Sequence, residues 1–164
     1  MRYEVRLSSR LVGAIHVALD RPHPFAFERV GFLFCKYARA AELELLLGWA
    51  YEPVDDDDYL QSESFGALIG ARGIRQAMQR AYASKGPVIH VHRHEHGGSP
   101  SFSETDERTN AELVPAFWNV ARGIQHGALV LSLDRAYCHV WHPTRRIPVA
   151  ASVRTVGCHT RELT

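Results

Sequence analysis

The chain has 164 residues, 46% hydrophobic and 23% charged, which suits one packed domain spanning residues 1–164. A formal net charge of +1 argues against a strongly basic nucleic-acid binder or a polybasic membrane binder. The three cysteines, Cys35, Cys138 and Cys158, stand far apart with no Cys-x-x-Cys pair, so neither a disulfide framework nor a thiolate zinc knuckle is expected. No apolar run is long enough to span a bilayer, and Met1–Arg6 has no signal-like apolar region. A cytoplasmic protein is the expectation.

In chain order, Tyr3 to Leu19 reads as one or two strands with a turn near Gly13, broken by Arg21-Pro22-His23-Pro24. Phe25 to Tyr37 is aromatic-rich and reads as a strand, and Leu43 to Pro53 as another. Asp55 to Asp58 is a run of four acids, expected as a solvated turn because adjacent carboxylates repel. Ser64 to Ser84 has helical spacing and stops at Lys85-Gly86-Pro87. Val88-Ile89 then leads a histidine-rich strand, followed by a Gly97–Pro100 loop and a helix from Thr105 to about Val120. Gly127 to Leu133 and Tyr137 to Trp141 predict a hairpin across Asp134-Arg135, and Ile147 to Val156 a last strand. Strands flanking two helices predict an α/β or α+β fold with a mixed central β-sheet flanked by helices.

The chemistry concentrates in His90-Val-His92-Arg-His94-Glu-His96, with Ser103 and Asp106 shortly after. Alternate residues of a strand share one face, so these imidazoles would stand side by side. Imidazoles and a carboxylate suit zinc, and a catalytic zinc takes three protein ligands and leaves one position for water. Competing readings are a ligand-free surface cluster, a histidine-triad nucleotide hydrolase, a metallo-β-lactamase signature and a cupin. In the triad reading Arg93 and Glu95 fall on spacer positions that should be apolar. In the lactamase reading His94 stands where an Asp belongs.

The whole order resembles the JAB/MPN (JAMM) zinc metallopeptidase family. Glu28-Arg-Val-Gly31-Phe-Leu is similar to the family's early Glu, His92-Arg-His94 to its His-x-His pair and Ser103-Glu-Thr-Asp106 to its Ser-x-x-Asp. Gly127-Ala-Leu-Val-Leu-Ser132 is similar to the strand after its central helix. The span is roughly Phe25 to His142. Glu95 replaces the usual Pro after the second His, and the loop to Ser103 is about one residue longer than the pattern. A register using His90 and His92 needs a loop about three longer, so His92 and His94 are preferred. His90 then lies one pleat back on the same face and His96 falls in the loop.

The resemblance implies a cytidine-deaminase-like MPN/JAMM fold and a Zn2+ ion held by His92, His94 and Asp106. It also implies Glu28 as general base and Ser103 as hydrogen-bond donor to the oxyanion. The nearest branch is prokaryotic and is found with E1-like and E2-like proteins in antiphage conjugation operons. The implied substrate is therefore an amide or isopeptide bond at the C-terminus of a ubiquitin-like protein, with the Asp55–Asp58 run and the Gly97–Phe102 loop as candidate contacts. A catalytically silent scaffold and a sulfur-carrier processing hydrolase remain open beside it. Cys35 is expected to be a packed, inert thiol, and Phe117, Trp118 and Trp141 to be core.

Overall fold

The computed structural model describes residues 2–23, 26–62, 66–157 and 161–164. Strand β1 (Arg2–Ser8) runs directly into helix α1 (Ser9–Leu19). Strands β2 (Val30–Ala40) and β3 (Leu43–Pro53) follow, then a 3-10 turn (Asp56–Asp58) and helix α2 (Ala71–Ser84). The histidine strand is β4 (Val88–Arg93), and helix α3 (Glu104–Ala116) continues into a second 3-10 turn (Phe117–Asn119). Strands β5 (His126–Leu131), β6 (Ala136–Trp141), β7 (Pro148–Val156) and β8 (Arg161–Glu162) complete the chain.

The strand order is β1-β3-β2-β4-β5-β6-β7, and β1 also pairs with β7. Tyr3 faces Glu44 on one side and Ala151 on the other, both in parallel register. The expected mixed central β-sheet flanked by helices, and with it the cytidine-deaminase-like MPN/JAMM fold that the resemblance implied, is therefore corrected: seven strands close into a mixed β-barrel, with β8 added to β7. Closure removes both free sheet edges that an open sheet would leave. The interior is filled by alternate residues from each of the seven barrel strands, among them Val5, Leu33, Leu46, Val91, Leu129, Cys138 and Val153.

Two element assignments change with the topology. The second half of the Tyr3–Leu19 stretch is helix, not strand. Ser8 caps it by accepting from the Leu11 amide at 3.1 Å. Its Leu11, Val12, Ile15 and Leu19 recur at helical spacing and pack into the barrel core, so α1 seals that core. The second helix is shorter than its periodicity predicts, because Gly66 to Gly70 is extended and Ile69 bridges to Tyr59. Lys85 ends α2 in the left-handed region at φ 48°. Ser64, with which that helix was expected to begin, and Pro24, Phe25 and Cys158 lie outside the described residues. Among the described residues, no helix is long and apolar enough to cross a membrane.

The outer face of the barrel is clothed only in part. Val30, Phe32 and Phe34 of β2 meet Ala77 and Ala81 of α2 and Leu113 and Phe117 at the end of α3. Val114 of α3 packs with Phe102 on Ala128, Val130 and Trp141 of β5 and β6. Gly31 is required at the β2–β3 contact: a Cβ there would come 2.4 Å from the Tyr51 hydroxyl and 2.7 Å from the Glu52 carbonyl.

His126 is fully buried between these parts. Its Nδ1 accepts from the Val88 amide at 3.1 Å, and its Nε2 lies 3.3 Å from the Ala121 carbonyl. Burial pulls its pKa down to about 4, with the Ala121 carbonyl opposing. Between about pH 6.5 and pH 4 the unfolded chain then binds the proton that the folded chain refuses, so stability falls with falling pH. The slope from this one group approaches about 1.4 kcal/mol per pH unit. His126→Gln, which keeps one acceptor and one donor, should flatten that part of the acid limb in urea titrations of the protein. An unchanged acid limb would show that His126 is not the titrating group.

Candidate metal centre

Every residue of β4 is buried. Ile89 and Val91 point into the barrel core. His90 and His92 take the alternate positions, which face outward under α3. Phe32 pairs with His90 and Val30 with His92 on one edge, and Ala128 and Val130 pair with them on the other. The His94 amide extends the ladder by donating to the Leu131 carbonyl at 2.8 Å. The four rings form a row, with centroids 6.0, 5.1 and 5.7 Å apart from His90 to His96.

Helix α3 brings the carboxylate. Ser103 is its N-cap, and Ser-x-x-Asp here is a capping box: the Asp106 amide donates to Ser103 Oγ at 3.1 Å, and Asp106 Oδ2 accepts from the Ser103 amide at 2.8 Å. The Ser103 hydroxyl also donates to Asp106 Oδ2, at 2.8 Å. So anchored, Asp106 lies with Oδ1 3.4 Å from His92 Nε2 and Oδ2 3.6 Å from His94 Nε2. Burial alone would raise the Asp106 pKa. The His92 imidazole and the two Ser103 donors outweigh it and hold the carboxyl well below the usual range.

These residues fit a metal. Two ligand atoms each about 2.0–2.1 Å from a tetrahedral zinc are about 3.3–3.4 Å apart, close to the two spacings found here. Among the described residues neither buried ring nitrogen of His92 has a hydrogen-bond partner, an arrangement that costs free energy unless something else satisfies it. The donor set, two imidazoles and a carboxylate, is one that zinc accepts. Glu28 belongs to the same cluster: it, His92 and His94 each offer a ligand atom within 4.8 Å of the others'.

Glu28 is not on a strand, as the sequence led one to expect, but two residues before β2. Its amide donates to the Gly66 carbonyl at 3.0 Å, and a Cβ on Gly66 would come 2.9 Å from Glu28 Oε2. Its neighbours are tied down. The buried Arg29 side chain reaches Asp56 Oδ1 at 2.7 Å, the Pro22 carbonyl at 2.7 Å and the Arg21 carbonyl at 2.5 Å. The Tyr59 hydroxyl accepts from the Val30 amide at 2.9 Å. The acid run thus has partners: Asp56 pairs with Arg29 and Arg21, and buried Asp58 with Arg72 at 2.6 Å.

The remaining histidines are placed otherwise. His90 Nδ1 lies 3.0 Å from Asn110 Oδ1, one helical turn beyond Asp106. Burial, then the neighbouring His92, pulls its pKa down to about 4. His96 is exposed, with Nδ1 3.0 Å from the Gly97 carbonyl. Cys35 and Cys138 are fully buried in the barrel core, and burial pushes both thiols up. Neither presents a thiolate to a substrate.

A cleft of about 490 Å³ opens from Glu28, His92 and Asp106 and runs between α3 and the Gly66–Ile69 segment. Its walls include Val30, Ile74 and Met78, and His90 and Asn110 also line it. Sequence reading missed Asn110 and Gly66. Asn110 had a signal, since position i+4 from Asp106 shares its helix face. Gly66 had none, because its role depends on a contact 38 residues back along the chain. No protein-family profile matches the chain, and no curated protein sequence matches it significantly.

Purified protein should hold close to one zinc per chain. His92→Ala, His94→Ala or Asp106→Ala should each lower that content, while His90→Ala should keep it. Elemental analysis after dialysis decides, and zinc retained in His94→Ala but lost in His90→Ala would move the register back one pleat. Ser103→Ala should cost about 1 kcal/mol of stability through the lost cap and weaken zinc retention by freeing Asp106. A variant with unchanged melting and zinc content would break the link between cap and metal.

Proposed function

We propose that this protein is a zinc-dependent metallopeptidase or isopeptidase that hydrolyses the amide bond at the C-terminus of a ubiquitin-like protein. The observation that carries the hydrolase reading is the convergence of His92, His94 and Asp106, with Glu28 beside them, where Glu28, His92 and Asp106 line the cleft. The substrate class rests on the likeness of Glu28, His-x-His and Ser-x-x-Asp to the JAB/MPN pattern. The barrel topology does not enter the argument, since chemistry resides in sites and not in folds.

When bound, zinc supplies Lewis acidity, which makes a water nucleophilic near neutral pH. The work of the chain's own residues follows from their positions. Glu28 takes the proton from the attacking water and delivers it to the leaving amine, so its carboxylate must stand free of a strong cationic partner. Arg29, the adjacent cation, is held away by Asp56 and two backbone carbonyls. Ser103 fixes the carboxylate of Asp106. Its one hydroxyl proton is already donated to Asp106 Oδ2, so Ser103 holds that carboxylate instead of donating to the oxyanion. The extended C-terminal tail lies in the cleft, and ubiquitin-activating and conjugating proteins are the expected functional partners.

The test is cleavage of a fusion joining the C-terminal tail of a ubiquitin-like protein to a reporter or to a lysine side chain. Cleavage should stop with chelator, return with zinc and survive thiol alkylation. Glu28→Gln should keep its zinc and lose turnover by about 10²–10⁴-fold, the usual scale for a general acid–base group. Turnover that persists under chelator but dies on alkylation would overturn the mechanism. Full activity in Glu28→Gln would remove Glu28 from it.

A further inference from the structure

The cleft continues well past the metal cluster, and its inner wall holds two polar groups that the hydrolytic chemistry does not use. His90 is 6% exposed and Asn110 1% exposed, and both line the cleft. They bond to each other through His90 Nδ1 and Asn110 Oδ1 at 3.0 Å. His90 Nε2 and Asn110 Nδ2 are then left buried with no partner among the described residues. Native folds rarely leave such atoms without a ligand or a water to satisfy them.

The polarity of the pair follows from its one hydrogen bond. An amide oxygen can only accept, so His90 Nδ1 donates, and in the neutral ring Nε2 must accept. Asn110 Nδ2 donates. The bonded pair thus leaves one acceptor and one donor unused, which suits neither an anion, needing donors only, nor a cation, needing acceptors only. It suits one residue of an extended peptide, whose N–H and C=O point to the same side. Around the pair the wall is Val30, Ile69, Ile74, Met78 and Leu113. A space of about 490 Å³ with that lining is far larger than a glycine needs.

We infer that this cleft is a peptide-reading subsite: His90 Nε2 and Asn110 Nδ2 take the N–H and C=O of one substrate residue, and the apolar wall seats a branched aliphatic side chain beside them. It rests on the proposed amide hydrolysis only in calling the bound peptide a substrate. The cleft starts at Glu28, His92 and Asp106, so the residue it reads lies within a few positions of the bond that is cut. A tail of small residues alone would leave the apolar wall uncovered.

Binding can be read without turnover. The zinc-loaded protein is titrated with N-acetyl-leucine N-methylamide while the His90 ring nitrogens are followed by ¹⁵N NMR. The His90 Nε2 signal should move on saturation. N-acetyl-glycine N-methylamide should bind about tenfold more weakly for want of the side chain. So should the ester analogue in which oxygen replaces the leucine N–H. Asn110→Leu should lose about tenfold in affinity for the leucine amide, and Ile74→Trp, which fills the cleft without touching the polar pair, should abolish the preference for leucine over glycine. Equal binding of amide and ester, or full affinity in Asn110→Leu with its fold and zinc intact, would overturn the inference. If the leucine amide binds as described but no ubiquitin-like fusion is ever cleaved, the hydrolase reading falls and the subsite stands.

Discussion

Strand β4 has no side that faces solvent, and that constraint fixes everything the site depends on. It is hydrogen-bonded to β2 on one edge and β5 on the other, while one face fills the barrel and the other lies under α3. Because side chains alternate, a slip of one residue would send His90 and His92 into the apolar core and expel Ile89 and Val91. No partner for an imidazole awaits in that core, so the register is set by hydrophobic burial and the histidines inherit their direction from it. A flexible loop carrying the same residues would have to be ordered by the metal itself. Here the candidate ligand His92 sits on a strand whose geometry the barrel already imposes, and His94 follows directly after it, held by the bond to the Leu131 carbonyl.

The third candidate ligand, Asp106, is fixed by a different device, local in sequence. A capping box satisfies two free donors at a helix start, Asp106 supplying one of the two acceptors. The same three-residue spacing that begins α3 therefore also aims a carboxylate. Negative charge at a helix N-terminus is favourable, which helps Asp106 stay ionised despite its partial burial. The fourth group, Glu28, is held from its flanks. Arg29 and Val30 are tied to Asp56 and Tyr59, so the backbone on which Glu28 rides has little freedom. Like charges at Asp55–Asp58 are tolerated because three arginines divide them, one being the buried Arg29.

How much of this was legible in the sequence differs by the range of the interaction. β3 was read to its exact ends, β4 and β6 to within a residue or two, and the start of α3 to within one, since their signals are alternation, Gly-Pro punctuation and a capping motif. The grouping of His92, His94 and Asp106 was legible for the same reason, as both halves are local patterns. The barrel was not. A strand buried on both faces reads as a continuous apolar run whether helices cover the second face or a barrel encloses it. Only the β1–β7 pairing, across some 150 residues, tells the two apart. The α1 segment failed through ambiguity of period: Leu11, Val12 and Ile15 beside β-forming neighbours match a short strand nearly as well as one helix face. The cap at Ser8 was the signal that would have separated them.

The closed barrel changes the physical picture of the site more than its residue content. In an open sheet, helices on both faces would shut the histidine row between layers. In the barrel, the interior is packed solid with side chains, and the outer face is covered only where α2 and α3 reach. The gap between those two helices, floored by β2 and β4, is the cleft. Its depth is set by how far α3 and the Gly66–Ile69 segment stand apart, and Gly66 lets that segment close onto Glu28. Access to the histidine row is thus a consequence of incomplete clothing of a barrel wall. Polar groups such as His90 and Asn110 can stay buried there without being lost to the core, because they line a space that a ligand can enter.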